Sequence, residues 1–181
     1  MFNTDSFTHG QIRSKLWLCS KLEDRKWSSN LTWIYGGWYG LTAFLLLSRD
    51  KFKVKRIRSY DADPSCKAIA EMINDNWVCQ SEAFRAHTLD CNLLQPTEAD
   101  LIINTATEHF PSMEWWDKIP PGKRVVLQGN NMVHEGEEVT ISTSLDDFKN
   151  RFPLSECDFA GTLDFDYNTW SFTRYMVIGT K

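Results

Sequence analysis

Three glycines and two acids fall where a chain could hold a nucleoside. "WIYGGWYG" (33–40) ends an apolar run in Gly36, Gly37 and Gly40. Lacking Cβ atoms, these residues permit a tight turn and leave backbone N–H groups open to a ligand. Asp61 lies 25 positions after Gly36, and a carboxylate at a strand end can accept hydrogen bonds from both hydroxyls of a ribose. Asp90 follows a third strand-like segment, where it can receive the amino group of an adenine. Farther on, "NTATEHF" (104–110) gathers Asn104, Glu108 and His109. Glu108 or His109 could serve as a general base toward a bound substrate. The plainer alternative has Asn104 tying the loop backbone and the other two capping the next helix.

The elements that must position these residues are readable from periodicity. Ile12, Leu16, Cys19 and Leu22 recur at helical spacing and predict an amphipathic helix over 9–25. "LTWIY" reads as a buried strand, followed by the glycines and by "LTAFLLLSRD", a helix apolar nearly all round and therefore expected in the core. A second strand within 53–60 leads to "SYDADP", with Asp63 as N-cap, Pro64 at the first helical position and a helix to about 75. Strands follow at 83–89, 99–104 and 124–128, with a short helix in "MEWWDKI" and a helix starting at the Ser144–Asp147 capping box. "CDFAGTLDFD" and "FTRYMVIGT" close the chain as two strands around a turn at 167–171. Alternating strands and helices predict an α/β fold: a doubly wound, mostly parallel sheet with helices on both faces and an antiparallel closing hairpin. Ligands of such sheets bind at the carboxyl ends of the strands, where all the chemistry-bearing residues fall.

Two common phosphate sites are excluded. Starting at Gly36, G-x-G-x-x-G would need glycine at 38 and 41, where this chain has Trp38 and Leu41; G-x-x-x-x-G-K-[ST] does not occur. Trp38 and Tyr39 would crowd a pyrophosphate, but aromatic rings suit a cation, with an attraction of about 0.5–2 kcal/mol. Adenosine plus a sulfonium cation is S-adenosylmethionine. In order, "WIYGGWYG", "SYDADP", "TLDC", "ADLIINTATEHF", "RVVLQGNN" and "TRYMVIGTK" resemble the motifs of class I S-adenosylmethionine-dependent methyltransferases over residues 31–181. The resemblance implies a seven-stranded sheet of order 3-2-1-4-5-7-6 with strand seven antiparallel. It also implies Gly36, Gly37 and Gly40 around the methionine part with Trp38 in the same turn, Asp61 on the ribose, and Asp90 with Cys91 at the adenine. It places catalytic or substrate groups after strand four, where Asn104, Glu108 and His109 lie. The family's usual acid before the glycines is replaced here by Trp33, Ile34 and Tyr35.

The leading segment, 1–28, is expected to flank or cover the cofactor, with Gln11 and Lys15 pointing inward. His87 is read as packing or surface, His134 as part of a polar lid-like loop, and one of Trp115 and Trp116 as a core residue while the other could wall a substrate pocket. The chain of 181 residues suits one domain, 1–181, able to bury about 70% of its unfolded surface. A net charge of −4 argues against a broad nucleic-acid footprint, and "KFKVKRIR" (51–58) reads as a strand with its basic residues on the wet side. No apolar run is long enough for a membrane span, and no signal-peptide core is present. Five cysteines without a C-x-x-C pair argue against zinc, other metal or a disulfide framework, so a reducing cytoplasmic setting is expected. With modest loops after strands four and five, a small-molecule methyl acceptor is favoured over a nucleic acid or protein. The alternatives are another reaction of S-adenosylmethionine (lyase- or decarboxylase-like), a non-catalytic cofactor-binding module, or a Rossmann-like domain with no cofactor.

Overall fold

The structure, a computed structural model, describes residues 3–79, 82–133 and 141–181. Seven strands form the main sheet: β1 (Thr32–Tyr35), β2 (Ile57–Asp61), β3 (Phe84–Thr88), β4 (Leu101–Asn104), β5 (Arg124–Asn130), β6 (Glu156–Tyr167) and β7 (Trp170–Thr180). Their spatial order is 3-2-1-4-5-7-6, as the resemblance implies. Strands β1 to β5 pair in parallel, and β7 runs antiparallel to both β5 and β6. A separate two-residue bridge joins Ser28–Ser29 to Lys53–Val54, and the basic run beside it exposes Lys53, Lys55 and Arg56.

The period of two along each strand divides the core between the faces of the sheet. Trp33 and Tyr35 pack on one side with Trp115, Trp116, Phe148 and Phe152, while Ile34 packs on the other with Leu18, Leu22, Ala43 and Leu46. Helices α1 (His9–Asp24), α2 (Leu41–Leu47) and α3 (Cys66–Ile73) therefore cover one face. After α4 (Asp75–Cys79), helices α5 (Glu114–Asp117) and α6 (Leu145–Arg151) cover the other. The expected cap of α6 forms: Ser144 Oγ accepts Asp147 N–H at 3.1 Å, and Asp147 Oδ2 accepts Thr143 N–H at 2.9 Å.

Several details differ from the sequence expectation. In α1 the buried stripe is Ser14, Lys15, Leu18, Cys19 and Leu22, whereas Ile12 is half-buried and Leu16 is 39% exposed. The stripe is rotated because its first turns face polar groups: Ser14 O accepts Gln128 Nε2–H of β5 at 3.0 Å. Helix α2 ends at Leu47 and leaves Phe44 partly exposed against the Trp77 ring, so it is not buried all round. The helix expected to run to about 75 splits at Asn74, whose fully buried amide donates to Gly40 O at 3.2 Å and Ala70 O at 2.9 Å. Asp63 accepts Ser65 N–H at 2.8 Å, capping the turn that precedes the assigned start at Cys66. The closing strands extend to Tyr167 and Trp170, leaving a two-residue turn. Trp115 and Trp116 are both buried, at 1% and 4% exposure, so neither walls a pocket. The loop bearing His134 lies outside the described residues.

Candidate functional site

The glycine turn leaves β1 at Tyr35 and delivers the chain to α2. Gly36 and Gly40 sit at φ +59° and +74°, the left-handed region that glycine enters without strain. Trp38 adopts φ +48° without that freedom, and its backbone N–H donates to Asp61 Oδ2 at 2.8 Å. The other Asp61 oxygen accepts Asp63 N–H at 3.0 Å. Asp61 thus bridges the ends of β1 and β2 and retains acceptor capacity for a ligand, since a carboxylate offers about four lone-pair sites. The glycines divide their work. A Cβ at Gly37 would lie 1.8 Å from Ser59 Oγ on β2, and one at Gly40 would lie 2.6 Å from Asn74 Nδ2. These two allow close packing of strand and helix. A Cβ at Gly36 would meet Phe110 at 3.3 Å and Ala106 at 3.4 Å on the loop after β4.

Past β3, Asp90 is exposed and accepts Asn92 N–H at 2.8 Å, capping a 3-10 turn over Cys91–Leu93. The Cys91 side chain is buried beneath the glycine turn; burial pushes its thiol up to about 12, against a backbone hydrogen bond from Gly36. His87 stacks on Tyr60, ring centroids 5.1 Å apart. Asn104 ends β4 fully buried, with Oδ1 accepting Ala106 N–H at 2.9 Å and Nδ2 left without a partner. Its observed contact is therefore with the loop backbone.

That loop carries Glu108 and His109 to the mouth of the sheet. Glu108 is 4% exposed. Its Oε1 accepts the Asn130 amide from the end of β5 and lies 3.5 Å from Arg174 Nη1 on β7 and 4.0 Å from His109 Nε2. Its Oε2 is buried without a partner. Arg174 also donates to Thr105 O at 3.3 Å, so the loop is clamped from two strands. Lys15 of α1 faces the same point, and its Nζ donates to Gln11 Oε1 at 2.5 Å. Burial pushes the Lys15 ammonium down to about 7, aided by the Arg174 charge and opposed by Glu108. A cleft of about 460 Å³, including its open mouth, runs between Gln11 and Lys15 on one side and Gly36, Gly37 and Trp38 on the other, with Glu108 and His109 at its end. The start of α1 thus lines this cleft opposite the glycine turn, with Gln11 and Lys15 on its wall.

No family model matches the sequence, and no curated protein matches it. Among solved structures, the N-methyltransferase NodS from Bradyrhizobium japonicum WM9, in complex with S-adenosyl-L-homocysteine, superposes with a TM-score of 0.71 at 12% identity over 97% of this chain and 90% of that one. The magnesium protoporphyrin IX methyltransferase ChlM from Synechocystis PCC 6803, with bound S-adenosylmethionine, gives 0.67 at 12% identity over 94% and 80%. The chain has the class I methyltransferase fold.

Within this methyltransferase fold the position of the usual acid before the glycines is filled by core aromatics: the Trp33 and Tyr35 rings lie 4.8 and 6.3 Å from Tyr60. Sequence reasoning singled out Gln11, Lys15 and Glu108 but missed Asn130 and Arg174. Arg174 carried one signal, as the one cation in β7, directly before the apolar run "YMVI". Asn130 carried none beyond lying at a strand's carboxyl end. No group of three or more His, Cys, Asp or Glu side chains able to hold a metal ion occurs among the described residues.

Proposed function

We propose that this protein is an S-adenosylmethionine-dependent methyltransferase acting on a small-molecule acceptor. The observation that carries the reading is the cleft between the glycine turn and α1, at the carboxyl ends of β1 and β4, with Asp61 bridging the strand ends beside it. The residues present suit the cofactor: Asp61 for the ribose hydroxyls, the Asp90–Cys91 segment for the adenine, the turn of Gly36, Gly37, Trp38 and Gly40 for the methionine part, and Lys15 with Gln11 for its carboxylate. Lys15 would thus anchor the methionine part through its carboxylate, in a chain that has Trp33, Ile34 and Tyr35 where the family resemblance calls for an acid. When bound, the cofactor supplies a methyl group on a sulfonium sulfur. The chain's own part is to align the acceptor and exclude water. Glu108 or His109 holds or takes the acceptor's proton, and Asn104 fixes the loop that carries them.

Calorimetry with S-adenosylhomocysteine tests the cofactor. At about pH 8 the Lys15 amine is mostly neutral, so a carboxylate placed against it raises its proton affinity and binding takes up protons. Titrations in buffers of different ionisation enthalpy read that uptake, and it should vanish in Lys15→Met. Product analysis then tests the reaction: S-adenosylhomocysteine marks methyl transfer, whereas another breakdown product or binding without turnover would replace this reading.

A further inference from the structure

A second cleft, of about 760 Å³ including its open mouth, opens beside the first and shares Gln11, Glu108 and His109 with it. One wall is aromatic. Phe165 pairs with Phe172 across the β6–β7 hairpin, and Tyr167 pairs with Trp170. Their rings form one near-parallel ladder: the Phe165–Phe172, Phe172–Trp170 and Trp170–Tyr167 centroids are 4.5, 5.6 and 4.5 Å apart, at 5°, 12° and 20°. The Trp170 indole is 49% exposed, with Tyr167 and Phe172 beside it on the cleft. The facing wall is the start of α1. Gly10 lets it close in, since a Cβ there would lie 3.3 Å from the Tyr167 hydroxyl and 3.6 Å from Phe172.

The floor consists of Glu108, Asn130 and Arg174, all at least nine-tenths buried. Two of its polar atoms lack partners: the acceptor Glu108 Oε2 and the donor Arg174 Nε. Leaving such groups unmatched is costly, and a ligand that supplies one donor and one acceptor removes that cost. Charge narrows the choice. Glu108 and Arg174 lie 3.5 Å apart and neutralise one another, and Lys15 feels both. A cationic acceptor would add positive charge beside Arg174, and an anionic one would face the Glu108 carboxylate. A neutral hydroxyl carries the one donor and the one acceptor that would match these two buried atoms, its O–H for Glu108 Oε2 and its oxygen for Arg174 Nε. A flat ring bearing that hydroxyl continues the aromatic ladder, where offset stacking adds to burial.

We infer that this second cleft binds the methyl acceptor, and that the acceptor is a neutral aromatic compound carrying a hydroxyl group; this rests on the methyltransferase reading above. On transfer the hydroxyl oxygen forms the bond to the methyl carbon. The carbon–sulfur bond breaks with its electron pair staying on sulfur, and the hydroxyl proton passes to Glu108 Oε2. S-adenosylhomocysteine and an aryl methyl ether result.

The test uses the full chain and four naphthalene probes: 2-naphthol, 2-methoxynaphthalene (no donor), 2-naphthoate (anion) and 2-naphthylmethyl-trimethylammonium (cation). S-adenosylhomocysteine affinity is measured first by calorimetry, and the probes are then titrated into the saturated protein. Naphthol should bind at least about fivefold tighter than each of the others. Trp170→Ala, at a half-exposed position, should weaken naphthol about tenfold while S-adenosylhomocysteine affinity stays within about twofold. Glu108→Gln, checked for folding by circular dichroism, should narrow the preference for naphthol over its methyl ether. Tighter binding of the cation or the anion overturns the acceptor class, as does unchanged naphthol affinity in Trp170→Ala. S-adenosylhomocysteine binding without naphthol binding also overturns it, and leaves the methyltransferase reading standing. Failure to bind S-adenosylhomocysteine overturns that reading, and the acceptor class with it.

Discussion

The Asp61 carboxylate accepts Trp38 N–H on one oxygen and Asp63 N–H on the other, so its removal acts on the turn as well as on a ligand. Asp61→Ala should lower S-adenosylhomocysteine affinity ten- to hundredfold, or about 1–3 kcal/mol, and lower Tm as well. Calorimetry and thermal melts read the two effects separately. A lowered Tm with unchanged affinity would assign Asp61 to the turn alone. At this scale an acid just past an apolar strand is legible in sequence, because chain position fixes its place at the sheet's mouth. The surroundings of Glu108 are not. Its burial comes from Asn130 and Arg174, which adjacent strands bring to it from distant parts of the chain. The same holds for Trp116, whose burial depends on packing against Phe152.

Gly37 belongs to the contact between the turn and β2 more than to a ligand surface. In Gly37→Ala the new methyl would lie 1.8 Å from Ser59 Oγ but 3.2 Å from Ser59 Cβ. The single substitution should destabilise the fold by about 1–3 kcal/mol, and Ser59→Ala in the same chain should recover most of it. Urea melts of the two single variants and the double variant give the coupling. Additive effects would mean that the clash is relieved elsewhere. Elements read well where their neighbours agree with their own pattern. β1 is buried at each position because both its faces are covered, and it fell where expected. α1 was placed correctly, but only the later half of its expected stripe, Cys19 and Leu22, is buried. A helix start that lines a cleft buries Ser14 and Lys15, which no count of apolar residues selects. Asn74 broke its helix for a similar reason, since its amide is bound to Gly40 across the fold.

Over the whole molecule, Lys15 gives stability a pH dependence of defined sign. Its ammonium ordinarily titrates near 10.5, and burial brings it to about 7 in the folded chain. Between those values the unfolded chain holds more protons, so the Lys15 contribution makes stability rise with pH across that window; below about 7 the penalty is full and constant. Lys15→Met removes it. The variant should be the more stable protein near pH 7, and its advantage should shrink as pH approaches about 10. Urea midpoints of both proteins across that range check the slope, and a constant difference would show that Lys15 titrates normally. The strand order was legible through motif resemblance; periodicity by itself indicated only parallel strands and a closing hairpin. One feature of that order bears on how the chain is made. β7 is the last of the seven strands along the chain yet lies between β5 and β6 in the sheet and pairs with both. A nascent chain that has completed β1 to β5 therefore presents Val125, Val126 and Leu127 on an unpaired edge until Trp170–Thr180 is available. At about 5–20 residues per second that interval lasts a few seconds, long enough for chaperone capture or edge-to-edge association to compete with closure on the ribosome.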